Sequence, residues 1–157
     1  MEWTRHFPDW PDKPPAIARD MLLGVGHTGA NGWARLARPP VFDGPVHRGQ
    51  AYVLIDDFVG QGGTLANLRG HLVTAGARAL GAVTLTGKAY SAKLALSEHT
   101  LNALRDRHGP ALEIWWRQTF GYGFDCLTES EARYLLRAED ADTVRTRIAQ
   151  ARSEEKS

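Results

Sequence analysis

The stretch AYVLIDDFVGQGGTL, residues 51–65, runs from apolar residues into two neighbouring aspartates and then into a loop with three glycines. The apolar run 51–55 is short and continuous, so it predicts a buried strand. The segment 64–76 carries leucines along one helical face and ends at a glycine, so it predicts a helix. This order of strand, glycine loop and helix decides the expected fold.

Apolar runs alternate with amphipathic segments along the rest of the chain. The runs predict strands at 20–26, 79–87 and 111–116, and the amphipathic segments predict helices at 33–38, 97–109 and near the C-terminus. Ser97 and Gly109 are expected to begin and end one helix, and Thr128 with Glu131 matches a capping box. The pattern predicts an α/β fold: a Rossmann-like parallel sheet covered by helices on both faces, with C-terminal helices.

Length and composition set the class of protein. A chain of 157 residues suits a single domain, 1–157, with a proline-rich irregular arm at 1–15 and a polar tail at 151–157 that frays. The 19 basic and 18 acidic residues nearly balance, so neither nucleic acid nor a membrane surface is expected as a partner. The single cysteine excludes an internal disulfide, and no apolar run suggests a signal peptide. We therefore expect a cytoplasmic protein.

The aspartates and the glycine loop suggest a ligand site. In an open parallel sheet, ligands bind beyond the carboxyl ends of the strands, where Asp56 and Asp57 are expected. The glycines let backbone N–H groups approach an anion, and the start of the following helix adds a positive dipole end. A ribose 5-phosphate would suit both halves, with its hydroxyls on the acids and its phosphate on the loop.

The segment YVLIDDFVGQGGTL, residues 52–65, resembles the phosphoribosyl-diphosphate-binding motif of type I phosphoribosyltransferases. The resemblance implies that Asp56 and Asp57 hold the ribose hydroxyls and act in catalysis. It also implies that the loop holds the 5-phosphate, through Gly60, Gln61, Gly62, Gly63 and Thr64. Mg²⁺ would be the cofactor, carried by the diphosphate and able to contact the two aspartates.

The resemblance extends to LLGVGHTGANGWARLA, residues 22–37, where the family has a pyrophosphate-binding loop. It suggests pyrophosphate contacts from His27, Thr28, Gly29 and Ala30, although a plain turn would also explain the glycines. Lys88 leaves the third predicted strand at the same edge and could add a charge, with a solvated loop lysine as the alternative.

The segment FGYGFD, residues 120–125, suggests a base-binding surface made of Phe120, Tyr122 and Phe124. Aromatic rings stack on nucleobases, at about 1–3 kcal/mol each. Packing of these rings between the C-terminal helices and the sheet is the alternative.

Three departures from the family pattern bear on activity. Gln61 stands where members commonly have threonine or serine, and Gly60 stands where the 6-oxopurine branch has an acid. Only PPVFDGPVHRGQ, residues 39–50, separates the first helix from the acid-bearing strand, which leaves no room for the long loop that closes over the sugar. This puts catalysis in doubt more than binding.

Two functions follow from the resemblance. The first is an enzyme that binds phosphoribosyl diphosphate and transfers the ribose phosphate to a nucleobase or similar nitrogen nucleophile. The second is a non-catalytic sensor that binds the diphosphate sugar or a nucleotide and signals to a protein partner. Members of this fold often pair, so a homodimer is also an expectation. A dinucleotide-binding domain is a weaker alternative because no G-x-G-x-x-G follows the first strand.

Overall fold

The computed structural model describes residues 16–18, 22–23, 31–91 and 94–154. Its helices are α1 (Gly32–Ala37), α2 (Gly63–Thr74), α3 (Glu98–Phe120), α4 (Glu129–Leu136) and α5 (Ala141–Ser153). Its strands are β1 (Ala16–Ala18), β2 (Leu22–Leu23), β3 (Val41–Phe42), β4 (Ala51–Val59) and β5 (Arg78–Gly87). Single 3₁₀ turns lie at Ala89–Ser91 and Phe124–Cys126. The described part of the chain is mostly helical.

A small parallel sheet, in the order β1–β4–β5, positions the aspartates and the glycine loop. β4 and β5 pair along most of their length, with Ile55 opposite Val83 and Asp56 opposite Thr84. α2 connects these strands and packs on one face, where Tyr52 and Leu54 of β4 join three leucines of α2 in a core. β2 and β3 form a separate antiparallel pair.

The larger core lies among the helices. α3, α4 and α5 bury a cluster that includes Leu104, Leu112, Trp116, Leu135 and Val144, each with no exposed surface. α1 packs against α5 and adds Leu36 and Ala37. The described residues therefore form two cores, one on the sheet and one between the helices.

The predicted Rossmann-like sheet is wrong, because 111–116 belongs to α3. Gly109 leaves the helical conformation, with φ 72° and ψ 169°, and Pro110 then begins a second helical run, where its fixed φ and missing N–H are tolerated. Leu112 and Trp116 are four residues apart and both are buried, so they share the inner face of a helix. A short apolar run fits a strand or a buried helix, and here the helix forms.

The helices also leave one face of the sheet uncovered within the described residues. Most residues of β5 are exposed, including Val83 at 57% and Leu85 at 86%. In the predicted strand 20–26 the structure describes only Leu22 and Leu23, and these pair antiparallel with β3 instead of joining the parallel sheet. The remainder of that stretch and the arm at 1–15 lie outside the described residues, and the single domain stays a prediction.

Several local predictions are confirmed. Ser97 caps α3, with its hydroxyl accepting from the N–H of Thr100 at 3.2 Å. Gly76 follows α2 with φ 85°. Thr128 and Glu131 form the capping box at the start of α4: Thr128 Oγ1 accepts from Glu131 N at 3.1 Å, and Glu131 Oε2 accepts from Thr128 N at 2.8 Å.

Thr128 also joins α4 to the glycine loop. Its hydroxyl donates to the carbonyl oxygen of Gln61 at 2.7 Å, and the hydroxyl of Ser91 donates to the carbonyl of Gly60. Two buried hydroxyls therefore hold the backbone of residues 60 and 61.

Replacing Thr128 by alanine is expected to lower the free energy of unfolding by about 1–2 kcal/mol, because the helix cap and the bond to Gln61 are both lost. Amide exchange in residues 60–63 should become faster. Thr128→Ser keeps the hydroxyl and is the matched control, measured by chemical denaturation and hydrogen exchange. Equal losses in the two variants would show that the threonine methyl, and not the hydroxyl, supports the loop.

Candidate functional site

The two aspartates lie inside β4, which continues to Val59 instead of ending at residue 55 as the sequence predicted. Asp56 is half-buried and accepts a hydrogen bond from the backbone N–H of Asp57 at 2.9 Å, whereas Asp57 is exposed. Burial raises the pKa of the Asp56 carboxyl above its ordinary value, and the Asp57 carboxylate raises it further, against an opposing effect of the Asp57 N–H. The two aspartates are therefore neighbours within β4, and only Asp56 is partly shielded from solvent.

The glycine loop is filled by side chains of the protein itself. A Cβ placed on Gly60 would collide with the Arg35 guanidinium, and one on Gly63 would collide with the Glu131 carboxylate. Gly62 has φ 85°, and a Cβ there would meet Leu94. Neighbouring side chains therefore approach all three glycines closely, and Gly62 also has a left-handed backbone conformation that favours glycine.

The Glu131 carboxylate lies beside Gly63, where α2 begins. Burial raises its pKa, while the backbone N–H and hydroxyl of Thr128 act in the opposite direction. A helix N-terminus attracts negative charge, and here a carboxylate of the same chain takes that place. The positive dipole end of α2 is thus already near an internal acid.

A small cavity of about 60 Å³ borders the loop. Its lining includes Arg35, Asp56, Tyr122, Glu131 and the loop residues 60–64. Small-molecule sites usually have about 300–1,000 Å³, so this space is too small for a phosphorylated sugar.

A second and larger cavity of about 470 Å³ shares Arg35 with the small cavity. We call it the cationic cavity, because its charged lining residues are Arg35, Lys88, Arg133 and Arg137 and none of its lining residues is an acid. Gly60 and Gln61 line both cavities, so the loop forms part of the wall between them.

An apolar groove of about 680 Å³ follows α2 and β5. Leu54, Leu65, Leu80, Leu94 and Leu96 contribute to it. On β4 and β5, the register partners Ile55 and Val83 are 46% and 57% exposed. Much of β5 is therefore exposed to solvent within the described residues.

The structure places the sequence-predicted site residues in different surroundings. Asp56 and residues 60–64 line the small cavity, and Lys88 lines the cationic cavity, whereas Asp57 lines neither. Residues 27–30, the suggested pyrophosphate contacts, lie outside the described residues. The ligand roles of these residues stay predictions.

The three aromatic residues pack around Trp116. The ring centroid of Trp116 lies 4.3 Å from that of Phe120, 5.8 Å from Phe124 and 6.5 Å from Tyr122. Phe124 is fully buried, and burial raises the pKa of Tyr122, which lines the small cavity. Core packing is the role that these contacts support, and base binding stays a prediction.

Sequence reasoning missed three residues of the cationic cavity: Arg35, Arg133 and Arg137. Arg133 lies on α4 and Arg137 caps its C-terminal end, four residues on, the spacing that puts two side chains on the same helical face. That spacing was a usable signal, although the partner elements that complete the cavity could not be read from it.

The described residues contain neither a cluster of metal ligands nor a helix that could span a membrane. Within the described ranges, no group of three or more His, Cys, Asp or Glu side chains could hold a metal ion, and the Mg²⁺ cofactor stays a prediction. No helix among the described residues is both long and apolar enough to cross a membrane.

Comparison with known proteins gives a different relationship from the one that the motif suggested. The chain is 42% identical to the protein TraN of Escherichia coli over 130 residues, which are 83% of this chain and 29% of TraN. It is 45% identical to an uncharacterized protein of Haemophilus influenzae over 49 residues, or 31% of this chain and 11% of that protein. The chain thus spans less than a third of the length of either relative. No family model and no solved structure matches.

The phosphoribosyltransferase interpretation is therefore wrong. The similarity to TraN covers 130 of the 157 residues, so it includes the motif at 52–65. No match is to a phosphoribosyltransferase. The predictions that rested on it are wrong as well. They are the transferase activity, the enzyme class, the role in nucleotide metabolism and the sensor of phosphoribosyl diphosphate or a nucleotide. The expected partners, a homodimer included, came from the same resemblance and lose that basis. The structure also argues against this interpretation. The sheet is small, side chains of Arg35, Leu94 and Glu131 lie against the glycines of the loop, and the adjoining cavity is only about 60 Å³.

The raised pKa of Asp56 gives a pH-dependent prediction. The folded state binds this proton more tightly than the unfolded state, so the resulting stability is present below the unfolded pKa and lost as pH rises through the folded pKa. Asp56→Asn removes the ionised form and keeps an oxygen that accepts from Asp57 N. It is expected to raise the melting temperature at pH 7 and to make little difference below pH about 4.

Asp106→Asn, at an exposed site on α3, is the control, with both variants followed by thermal unfolding from acid to neutral pH. A melting temperature of Asp56→Asn that falls below the wild-type value at pH 7 would contradict the burial of this carboxylate.

Proposed function

We propose that the chain is a non-catalytic docking module of a TraN-like protein, with a conjugation-related role. It binds an extended, apolar segment of polypeptide at strand β5. The 42% identity to TraN over 83% of the chain supports the first part of this proposal. The observation that carries the second part is the exposed apolar surface of β4 and β5 beside an open strand edge.

The exposed surface is a continuous feature of the sheet. Ile55 and Val83 are paired in register, and Leu85 follows two residues along β5 with 86% of its surface exposed. Parallel strands are normally buried on both faces, because helices cover them. Within the described residues α2 covers one face only, so the other face is suited to a further layer of polypeptide.

The outer edge of β5 is open in the described part of the chain. β5 pairs with β4 on one side, and the strand order β1–β4–β5 puts no further strand on the other. Ten residues long, the strand has no proline, and its one charged residue, Arg78, is at its start. Proteins usually protect such an edge with charges, proline or a short strand, and an unprotected edge accepts an added strand.

The chemistry of β5 defines the segment that it would bind. An edge without charges beyond Arg78 favours a strand whose backbone completes the hydrogen bonds and whose apolar side chains contact Val83 and Leu85. The matched region is 29% of TraN, so a TraN-length polypeptide has ample sequence outside it to provide such a strand. We therefore assign the binding segment to that remaining part.

Overlapping synthetic peptides that cover E. coli TraN outside the matched 130 residues test this proposal. At least one apolar peptide is expected to bind the wild-type chain and to slow amide exchange in residues 78–87. The double variant Val83→Lys, Leu85→Lys should weaken binding at least about tenfold, because an apolar contact is replaced by charges that resist dehydration. Binding would be measured by isothermal titration calorimetry.

Ile114→Lys is the matched control, since Ile114 is 57% exposed but lies on α3. It should bind like the wild type, and all variants should keep the wild-type melting temperature because the replaced side chains are exposed. Absence of binding by every peptide, or equal binding by the β5 variant, would refute the docking assignment. If the wild-type chain instead self-associates and Val83→Lys, Leu85→Lys abolishes that association, the partner of β5 is a second copy of the chain and not the peptide.

A further inference from the structure

We propose that the cationic cavity is a binding site for a small, multiply charged oxyanion of the phosphate type. The cavity lies between α1, the glycine loop, the residues that follow β5, and α4. Phe58 of β4 lines the cavity, but Ile55, Val83 and Leu85 do not, so the cavity is distinct from the apolar surface proposed for docking.

The four basic residues come from separate parts of the chain and meet at one cavity. Arg35 comes from α1 and Lys88 directly follows β5, while Arg133 lies on α4 and Arg137 caps the end of that helix. Like charges four residues apart repel at the end of a helix, and Lys88 at the same cavity adds to that repulsion. A bound anion would remove this cost, which is the physical reason to read the cluster as a site.

The internal acids near the cavity leave its positive character in place. Glu129 binds Arg133, with 2.9 Å between Nη2 and Oε1, but Glu129 is itself buried and also accepts from Ser97 and Thr100. An arginine has five N–H donors, so one carboxylate does not use them all. The carboxylates of Asp56 and Glu131 line the small cavity instead, and they would repel an anion from that side.

Neutral donors complete the lining. The hydroxyls of Tyr90, Ser130 and Tyr134 belong to residues of the cavity wall. Gln61 also lines it, and its Oε1 is buried without a hydrogen-bond partner in the described part of the chain. Rotation of this amide by half a turn would put the NH₂ group in place of Oε1, and the NH₂ group could donate a hydrogen bond to an anion.

The wall is held in place by packing. The Arg35 guanidinium crosses Gly60, where a Cβ would block it. The ring of Tyr134 lies against Gly32 for the same reason and meets Trp33 edge-on, with ring centroids 5.1 Å apart. Two of the lining side chains thus lie against glycines, where a Cβ would overlap them. Guanidinium groups fit the paired oxygens of phosphate, and a cavity of about 470 Å³ has room for such an ion.

Titration with inorganic phosphate tests the site by calorimetry and by ¹H–¹⁵N NMR of the full chain. Saturable binding is expected, with amide shifts at residues 60–61, 88–90 and 133–137, and it should weaken as ionic strength rises. Lys88→Gln and Arg137→Gln should each weaken binding about tenfold or more, because each removes charge-assisted hydrogen bonds. Arg147→Gln, at an exposed site on α5 outside the cavity, should bind like the wild type.

Parallel titrations with sulfate and citrate distinguish phosphate-type chemistry from carboxylate chemistry. Lys88-dependent binding of phosphate or sulfate supports the site, and binding of citrate alone contradicts the phosphate assignment. The proposal is overturned if no ion gives saturable shifts, if the shifts scatter over the surface, or if Arg147→Gln weakens binding as much as the cavity variants. Melting temperatures of all variants confirm folding. Because Val83→Lys, Leu85→Lys leaves the cavity intact, failure of the docking proposal would not affect this result.

Discussion

The hydroxyl of Thr128 makes the hydrogen bonds that join the helical core to the glycine loop at the end of the sheet. It accepts from the N–H of Glu131 to begin α4, and it donates to the carbonyl of Gln61 in the glycine loop. One buried group therefore joins the helical core to the end of the sheet. The same turn brings the Glu131 carboxylate to the start of α2 and the arginines of α4 to the edge of the loop.

The glycine loop shows how a ligand-binding pattern can arise from internal packing. Three glycines after an acid-bearing strand suggest an anion site, because the absence of Cβ atoms gives an anion access to the backbone. In the structure, Arg35, Leu94 and Glu131 use that access. The pattern correctly indicated a close approach to the backbone. It could not indicate whether a ligand or another part of the chain makes that approach.

Local features were predictable from sequence where the deciding interactions are local. The caps at Ser97 and Thr128, the left-handed Gly76 and the strand at 78–87 each depend on a few neighbouring residues. The stretch 111–116 was not predictable in this way. Its apolar residues satisfy a strand equally well, and the helix follows from the burial of Leu112 and Trp116 in the larger core, to which α4 and α5 also contribute. The cationic cavity has the same limitation, since its four charges come from three distant segments.

The length of β4 explains why one strand serves the core, the small cavity and the exposed face. Alternate residues of a strand point to the same side, so Tyr52, Leu54, Asp56 and Phe58 form one series. The first two are covered by α2, and the last two continue past that cover to line the small cavity beside the loop. Ile55 belongs to the opposite series and contributes to the apolar face with Val83. A strand that ended at residue 55 would have kept the core and the exposed Ile55 but lost the connection to the loop wall, so the four residues beyond it are what bring the lining of the small cavity onto the same strand as the exposed apolar face.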